Sequence, residues 1–171
     1  LAYGHVMAAT LPERTAAEPR GDFAGQGFTG TRWLLAREGR GDWIPGPWLR
    51  PPGSPRVATI LLAPEGKAAF FEPGTTEPVA LARALLRAGH GVFAPDLFET
   101  GEHVLPDGTK TERDESAEHF TTFNRTDAQE RVQDVLTAIA FLRRQGVERV
   151  NLVGVGDAGL LALLAAGAAP G

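Results

Sequence analysis

The chain has 171 residues, of which 43% are hydrophobic and 22% charged, so it can form one globular domain with a sizeable core. Its formal net charge of -4 provides no basic surface for nucleic acid, and the absence of cysteine excludes disulfides and thiolate metal sites. No apolar run approaches the roughly 20 residues that span a bilayer, and the opening residues carry no signal-peptide pattern. We therefore expect a soluble domain, in a compartment that the sequence does not indicate.

The first thirty residues differ from the rest in composition. Residues 1–30 are rich in glycine, alanine, proline and charge, with weak periodicity, and are predicted to be an irregular lead-in to a domain over 31–171. They contain Arg20-Gly21-Asp22, and Arg40-Gly41-Asp42 repeats this adhesion tripeptide, but three-letter matches are frequent by chance in such a composition. Because the chain does not begin with methionine and stops as a helix finishes, we expect it to be a piece of a longer protein.

A hairpin and a buried strand are predicted next. Thr31 to Arg37 and Trp43 to Leu49 are predicted as the two strands of the hairpin, with turn-forming residues between them. The two prolines in the second strand place the hairpin at a sheet edge, because proline cannot donate to a ladder. Val57 to Ala63 is continuously apolar, which is typical of a strand buried on both faces of a parallel sheet.

Helices and strands then alternate. A helix capped by Thr75 or Thr76 is predicted to end at Gly89, and a short strand to run from Gly91 to Asp96. The polar stretch from Leu97 to Arg125 is long enough to be a functional loop or a small insertion.

The last predicted elements are a helix, a strand and a second helix. The capping box Thr126-Asp127-Ala128-Gln129 opens a helix that ends before Gly146, a strand follows from Val150 to Val153, and an apolar helix runs from Leu160 to Ala169. This order predicts a three-layer α/β sandwich with a central, mostly parallel sheet and right-handed crossovers.

The glycine-rich turn between that strand and the last helix is the main candidate site. Gly154, Gly156 and Gly159 match the dinucleotide pattern G-x-G-x-x-G, in which glycines let the backbone approach a pyrophosphate at a helix N-terminus. That pattern normally opens the first strand–helix–strand unit, whereas two core strands precede it here, and the acid expected about 20 residues later would fall after Gly171. A Rossmann unit is therefore an alternative interpretation.

The order of elements from about Thr31 to Ala169 resembles that of α/β-hydrolases. The shared features are a leading hairpin, a strand ending in Pro95-Asp96, a long loop, a helix carrying Asp134, and the strand Val150-Asn151-Leu152-Val153-Gly154 before the turn. The segment from Phe123 through Leu142, with its following strand, is most similar to the acetyl xylan esterase and dienelactone hydrolase-like branch. The resemblance implies an ester hydrolase fold that is truncated after the helix following the turn.

In that family the turn is a nucleophile elbow, G-x-S-x-G, in which a strained bend exposes a serine. Alignment of Leu152-Val153-Gly154 with the family strand puts Gly156 in the nucleophile position, where no acyl-enzyme can form. A shift of one residue puts Asp157 there, as in relatives that attack with an aspartate, but leaves Val155 where a small residue is needed. We favour the first alignment, which implies an α/β-hydrolase-like domain that is inactive on its own.

Other parts of a hydrolase site are altered. Pro64-Glu65-Gly66 stands where family members often carry the His-Gly of the oxyanion hole. The triad acid and histidine would follow the turn, but only one helix does so here. Asp96 lies at the C-terminal end of a core strand, where ligands bind in α/β sheets, but we favour its interpretation as an acceptor for loop N–H groups. Asp134 is interpreted as a buried hydrogen-bond partner or a solvated residue and not as a catalyst.

All four histidines precede the turn. His90, His103 and His119 are predicted to be solvated loop residues. A metal site that combines His103 and His119 with Asp114 and Glu118 lacks recognisable ligand spacing, so neither a metal nor a cofactor is expected.

The alternative from a different functional class is a non-catalytic companion domain of a larger hydrolase. Its partner would be the remainder of a larger polypeptide or a second subunit, because a sheet without further strands has an exposed edge that favours homo-oligomers. Neither nucleic acid nor a membrane is an expected partner.

Overall fold

The computed structural model describes residues 6–105, 107 and 113–169, and within them six strands form one sheet. The strands are β1 (Thr15–Gly25), β2 (Phe28–Arg37), β3 (Ile44–Arg50), β4 (Val57–Leu62), β5 (Gly91–Phe93) and β6 (Arg149–Gly154). Their order across the sheet is β1-β2-β3-β5-β4-β6. Parallel pairing joins β4 to its two neighbours, β5 and β6, and the other described pairs are antiparallel, so the prediction of a mostly parallel sheet holds only for that side.

Helices cover both faces of the sheet, which confirms the predicted three layers. They are α1 (Ala80–Arg87), α2 (Phe120–Phe123), α3 (Asp127–Arg144) and α4 (Ala158–Ala168), with short 3-10 helices at Gly66–Phe70 and Gly101–His103. The core on one face contains α3 and α4, and the core on the other contains α1 and the first 3-10 helix. Within the described residues, none of the helices combines the length and the apolar character that crossing a membrane requires.

The segments with the strongest local sequence patterns, β4 and α3, form the elements that were predicted for them. Ile60 and Leu61 of β4 are neighbours that face opposite sides of the sheet, and both are fully buried, as expected for a strand covered by helices on both faces. The capping box is also confirmed: the Thr126 hydroxyl accepts from the Gln129 N–H at 3.3 Å, and the Gln129 side chain accepts from the Thr126 N–H at 2.9 Å. This box satisfies two of the N–H groups that the start of α3 leaves without helical partners.

The prediction of an irregular lead-in over 1–30 is wrong for β1. This strand is exposed along most of its length, so it shows no apolar alternation, and backbone pairing with β2 holds it in the sheet. The hairpin of β2 and β3 is therefore internal and not at the edge. Its prolines are tolerated because they face the side of β3 where β5 ends, so no ladder there needs their missing N–H groups. The Pro45 carbonyl accepts from the Asp96 N–H at 2.8 Å, and the Pro47 carbonyl accepts from the Ala94 N–H at 3.3 Å.

Two predicted boundaries are also corrected. The helix α1 begins at Ala80, not at a cap on Thr75 or Thr76, because residues 72–77 close a turn in which the Thr75 hydroxyl accepts from the Glu77 N–H. The strand β5 ends at Phe93 and does not reach Asp96, whose N–H donates to the Pro45 carbonyl of β3.

Candidate functional site

The glycine turn lies at the carboxyl end of β6, where ligands bind in α/β sheets. The Val155 N–H donates to the Leu62 carbonyl at 2.9 Å, which holds the start of the turn against the end of β4. A Cβ atom on Gly154 would lie closer than 3.0 Å to the Ala158 carbonyl oxygen and 2.5 Å from the Gly159 nitrogen. Glycine at 154 is therefore what allows the last residue of β6 to touch the first turn of α4.

The bend itself is at Gly156. Its φ is +58°, in the left-handed region that L-residues with side chains rarely adopt, and a Cβ there would have no heavy atom within 4 Å. Asp157 follows with helical φ and ψ of -64° and -20°, and its exposed side chain makes no capping hydrogen bond. A Cβ on Gly159 would find its nearest neighbour, the Gly154 oxygen, at 3.8 Å, so helix packing does not require glycine at 159.

A second polar feature lies at the same edge, after β4 and β5. Asp96 is fully buried and accepts hydrogen bonds from the Lys67 N–H at 2.7 Å and from the Glu102 N–H at 3.0 Å. The Lys67 ammonium is ion-paired with Asp96 and with Glu102, the latter at 2.6 Å. The interpretation of Asp96 as an acceptor for loop N–H groups is confirmed.

Two glycines make this arrangement possible. Gly66 and Gly101 both have positive φ, and a Cβ on either would come closer than 3.0 Å to the Asp96 carboxylate. The sequence pattern predicted Pro64-Glu65-Gly66 as an altered oxyanion-hole segment and gave no role to Lys67. The usable signal was a glycine before a lysine in the loop after one core strand, paired with an acid at the end of the next.

Beside this ion pair lies a cavity of about 530 Å³. Its walls come from β1 and β2, from β3, from the loop after the first 3-10 helix, and from the Lys67–Asp96 pair. Aromatic and proline side chains line much of it, including Phe23, Phe71 and Pro47. No residue of the glycine turn lines the cavity, so the two features are neighbouring parts of one edge and not one pocket.

Asp134 is buried against the loop that follows β5. It accepts a hydrogen bond from the Phe98 N–H at 2.7 Å, which confirms the interpretation as a buried hydrogen-bond partner. Burial raises the pKa of Asp134 to about 7, and the Phe98 hydrogen bond and nearby Arg37 offset part of this effect. The neighbouring carboxylates of Asp42 and Glu130 act in the same direction as burial.

The described histidines are spread over the fold. His103 and His119 are exposed, as predicted, although His103 ends the second 3-10 helix and does not lie in a loop. His90 is half-buried with its Nδ1 3.1 Å from the Thr59 hydroxyl, so the prediction that it is solvated is wrong. His90 immediately precedes β5 and therefore lies away from the carboxyl edge, while His5 is outside the described residues. Among the residues that the structure describes, no group of three or more histidines or carboxylates is placed to hold a metal ion.

Solved structures that superpose on this chain include esterases. A protein assigned as an acetyl xylan esterase from Bacteroides fragilis superposes with a TM-score of 0.69 at 14% identity, covering 98% of this chain and 48% of that one. Acetyl xylan esterase 1 from Thermoanaerobacterium gives 0.63 at 16% identity, covering 97% and 53%. The chain has an α/β-hydrolase-like fold. The predicted resemblance is confirmed at the level of the fold.

A glucuronoyl esterase from Solibacter usitatus is similar too, with a TM-score of 0.59 at 14% identity over 95% of this chain and 54% of that one. The α/β-hydrolase-like chain thus spans about half the length of each of these three structures. No protein-family profile and no curated protein sequence matches it.

Proposed function

We propose that this α/β-hydrolase-like domain is related to carboxylic ester hydrolases of the acetyl xylan esterase type, and that it is catalytically inactive on its own because Gly156 replaces the nucleophile. The observation that carries the proposal is the φ of +58° at Gly156, at the bend between β6 and α4. An elbow exposes its nucleophile on a strained bend of this kind, directly after a strand and before a helix. Glycine offers no atom there for attack on an ester.

The contacts around the bend support the same alignment. In G-x-S-x-G the flanking positions must be small, because strand and helix approach each other closely. Gly154 and Ala158 occupy those positions when Gly156 is the central residue, and they are the two residues whose backbones come into contact. With Asp157 as the central residue, the bend would precede the nucleophile, and Val155 would take a flanking position.

Hydrolysis of p-nitrophenyl acetate tests the proposal. We expect the chain to release p-nitrophenol no faster than buffer, and Asp157→Asn to leave this rate unchanged. Asp114→Asn is the matched control, because it removes one exposed acid from a loop remote in sequence from the turn. Turnover that is lost in Asp157→Asn but retained in Asp114→Asn would show that the aspartate is the nucleophile, and the proposal would be wrong.

A second function, that of a companion domain, is favoured by the surface of α4. Leu160 and Leu163 are 64% and 70% exposed, and α4 contains only alanine, glycine and leucine. A helix that is apolar on all sides is normally covered, and β6 beside it is the edge strand of the described sheet. We propose that the remainder of a larger polypeptide or a second subunit covers this surface.

Sedimentation velocity over a range of concentrations tests this second proposal. We expect the chain to self-associate and Leu163→Gln to shift the distribution toward monomer, since the variant removes apolar area from the exposed face. Leu105→Gln, which changes another exposed leucine away from α4, is the matched control. A monomer at all concentrations would exclude a second copy as the partner.

A further inference from the structure

A bulge in β1 brings a cationic side chain to the cavity. The pairing of β1 with β2 shifts between Pro19 and Asp22, and Gly21 at the shift has a φ of +109°. Bulges of this kind redirect a side chain from its place in the ladder. Arg20 in the bulge and Arg32 on β2 both line the cavity wall.

Arg32 has no carboxylate partner among the described residues. Its guanidinium carbon lies 4.8 Å from the centre of the Phe23 ring, a cation–π contact that leaves the N–H donors available. Arg20 is paired with Glu18 at 2.9 Å, but both side chains are about half exposed, and such surface pairs are weak. The wall formed by β1 and β2 therefore carries positive charge that a ligand can use.

The opposite wall offers no comparable cation within the described part of the chain. Lys67 is engaged by Asp96 and Glu102, and Glu72 lies 3.6 Å from Arg83. The cavity is thus polarised, with its available positive charge on the β1–β2 side and apolar surface between the two walls.

We propose that this cavity binds a small amphipathic anion, with its carboxylate on Arg32 and Arg20 and its apolar body against Phe23 and Phe71. A guanidinium matches a carboxylate with two parallel N–H donors, and about 530 Å³ is within the range of small-molecule sites. The inference goes beyond the proposed function, because it uses no residue of the glycine turn.

Calorimetric titration with two matched probes tests the charge requirement. Naphthoate and the neutral naphthamide share the same ring system and differ in charge. We expect saturable one-to-one binding of naphthoate and about tenfold weaker binding of naphthamide. In Arg32→Gln the affinity for naphthoate should fall about tenfold, as for the loss of one charge-assisted contact, and the affinity for naphthamide should not change. Arg40→Gln, at an exposed turn arginine outside the cavity, is the control for net charge and should bind like the unmodified chain.

A second pair of variants locates the site. Ala68 is exposed and lines the cavity, so Ala68→Trp should fill the space and abolish binding of both probes without disturbing the core. Leu163→Gln alters the apolar face of α4 and should change the binding of neither probe. Circular dichroism of each variant establishes that it is folded.

Three results would overturn the proposal. These are the absence of saturable naphthoate binding, equal loss in Arg32→Gln and Arg40→Gln, and loss in Leu163→Gln with retention in Ala68→Trp. Esterase activity of the chain would leave the inference standing, so the two proposals fail on different measurements.

Discussion

Replacement of Gly154 by alanine tests the contact on which the turn depends. The new Cβ would lie 2.5 Å from the Gly159 nitrogen and closer than 3.0 Å to the Ala158 oxygen. Both are backbone atoms of α4, so the clash is relieved only if the helix moves away from β6. Overpacking costs about 1–3 kcal/mol, and without a side chain that can rotate away we expect a cost at the upper end, about 3 kcal/mol. In a chain of this size that lowers Tm by roughly 6–12 °C.

The other two glycines of the turn are matched controls. Gly156→Ala introduces no contact within 4 Å, so it should cost only the left-handed backbone, about 1–2 kcal/mol. Gly159→Ala has a nearest contact of 3.8 Å and lies in the first turn of α4. There alanine is the better helix former, and we expect a gain of up to about 1 kcal/mol.

Urea denaturation followed by far-UV circular dichroism, with thermal melts in the same buffer, measures the series. The expected order of stability is Gly159→Ala, unmodified chain, Gly156→Ala and Gly154→Ala, from most to least stable. A Tm for Gly154→Ala equal to that of the unmodified chain, or the lowest stability in Gly159→Ala, would contradict a required contact at Gly154. The latter result is what a dinucleotide turn predicts, since its third glycine serves helix packing.

Four further results are expected. Asp96→Ala removes the buried partner of Lys67 and should lower the free energy of unfolding by about 3 kcal/mol or more in urea; a loss below about 1 kcal/mol would contradict this role. Asp134 has a pKa of about 7 in the folded protein, against an ordinary value of 3.8. Between these values the folded state retains a proton that the unfolded state releases. The free energy of unfolding should therefore fall by up to roughly 4 kcal/mol as the pH rises from about 4 to about 7. At about pH 8 Asp134→Asn should be more stable than the unmodified chain, and its free energy of unfolding should lack this part of the pH dependence. If the two proteins lost stability in parallel as the pH rises, the raised pKa of Asp134 would be refuted. Thr126→Ala should cost about 1 kcal/mol through loss of the cap, with Thr126→Ser close to the unmodified chain in the same melts. Added NAD should leave Tm unchanged, whereas a rise that depends on its concentration would support the Rossmann alternative.

Elements whose information is local were predictable from the sequence. The capping box and the apolar repeat of α3 determine that helix within its own residues, and the apolar run of β4 determines a strand buried on both faces. The turn after β6 was predictable for the same reason, since a glycine cluster between a strand and a helix is itself the bend.

Strand partners were not predictable in this way. The sequence of β1 has no apolar alternation because the strand is exposed, and only its pairing with β2 places it in the sheet. The prolines of β3 indicated an edge, but they are accommodated inside the sheet because β5 is too short to need their missing N–H groups.

Local residue patterns alone were enough to predict that a strand, a glycine bend and a helix follow one another at 150–169. They left open whether Gly156 or Asp157 lies at the bend, and backbone φ values place the bend at Gly156. The Lys67–Asp96 pair and the cavity beside it were decided by the tertiary structure alone. Their residues come from loops and strands far apart in sequence, and only the pairing of β1, β2, β3, β4 and β5 in one sheet brings them to the same edge.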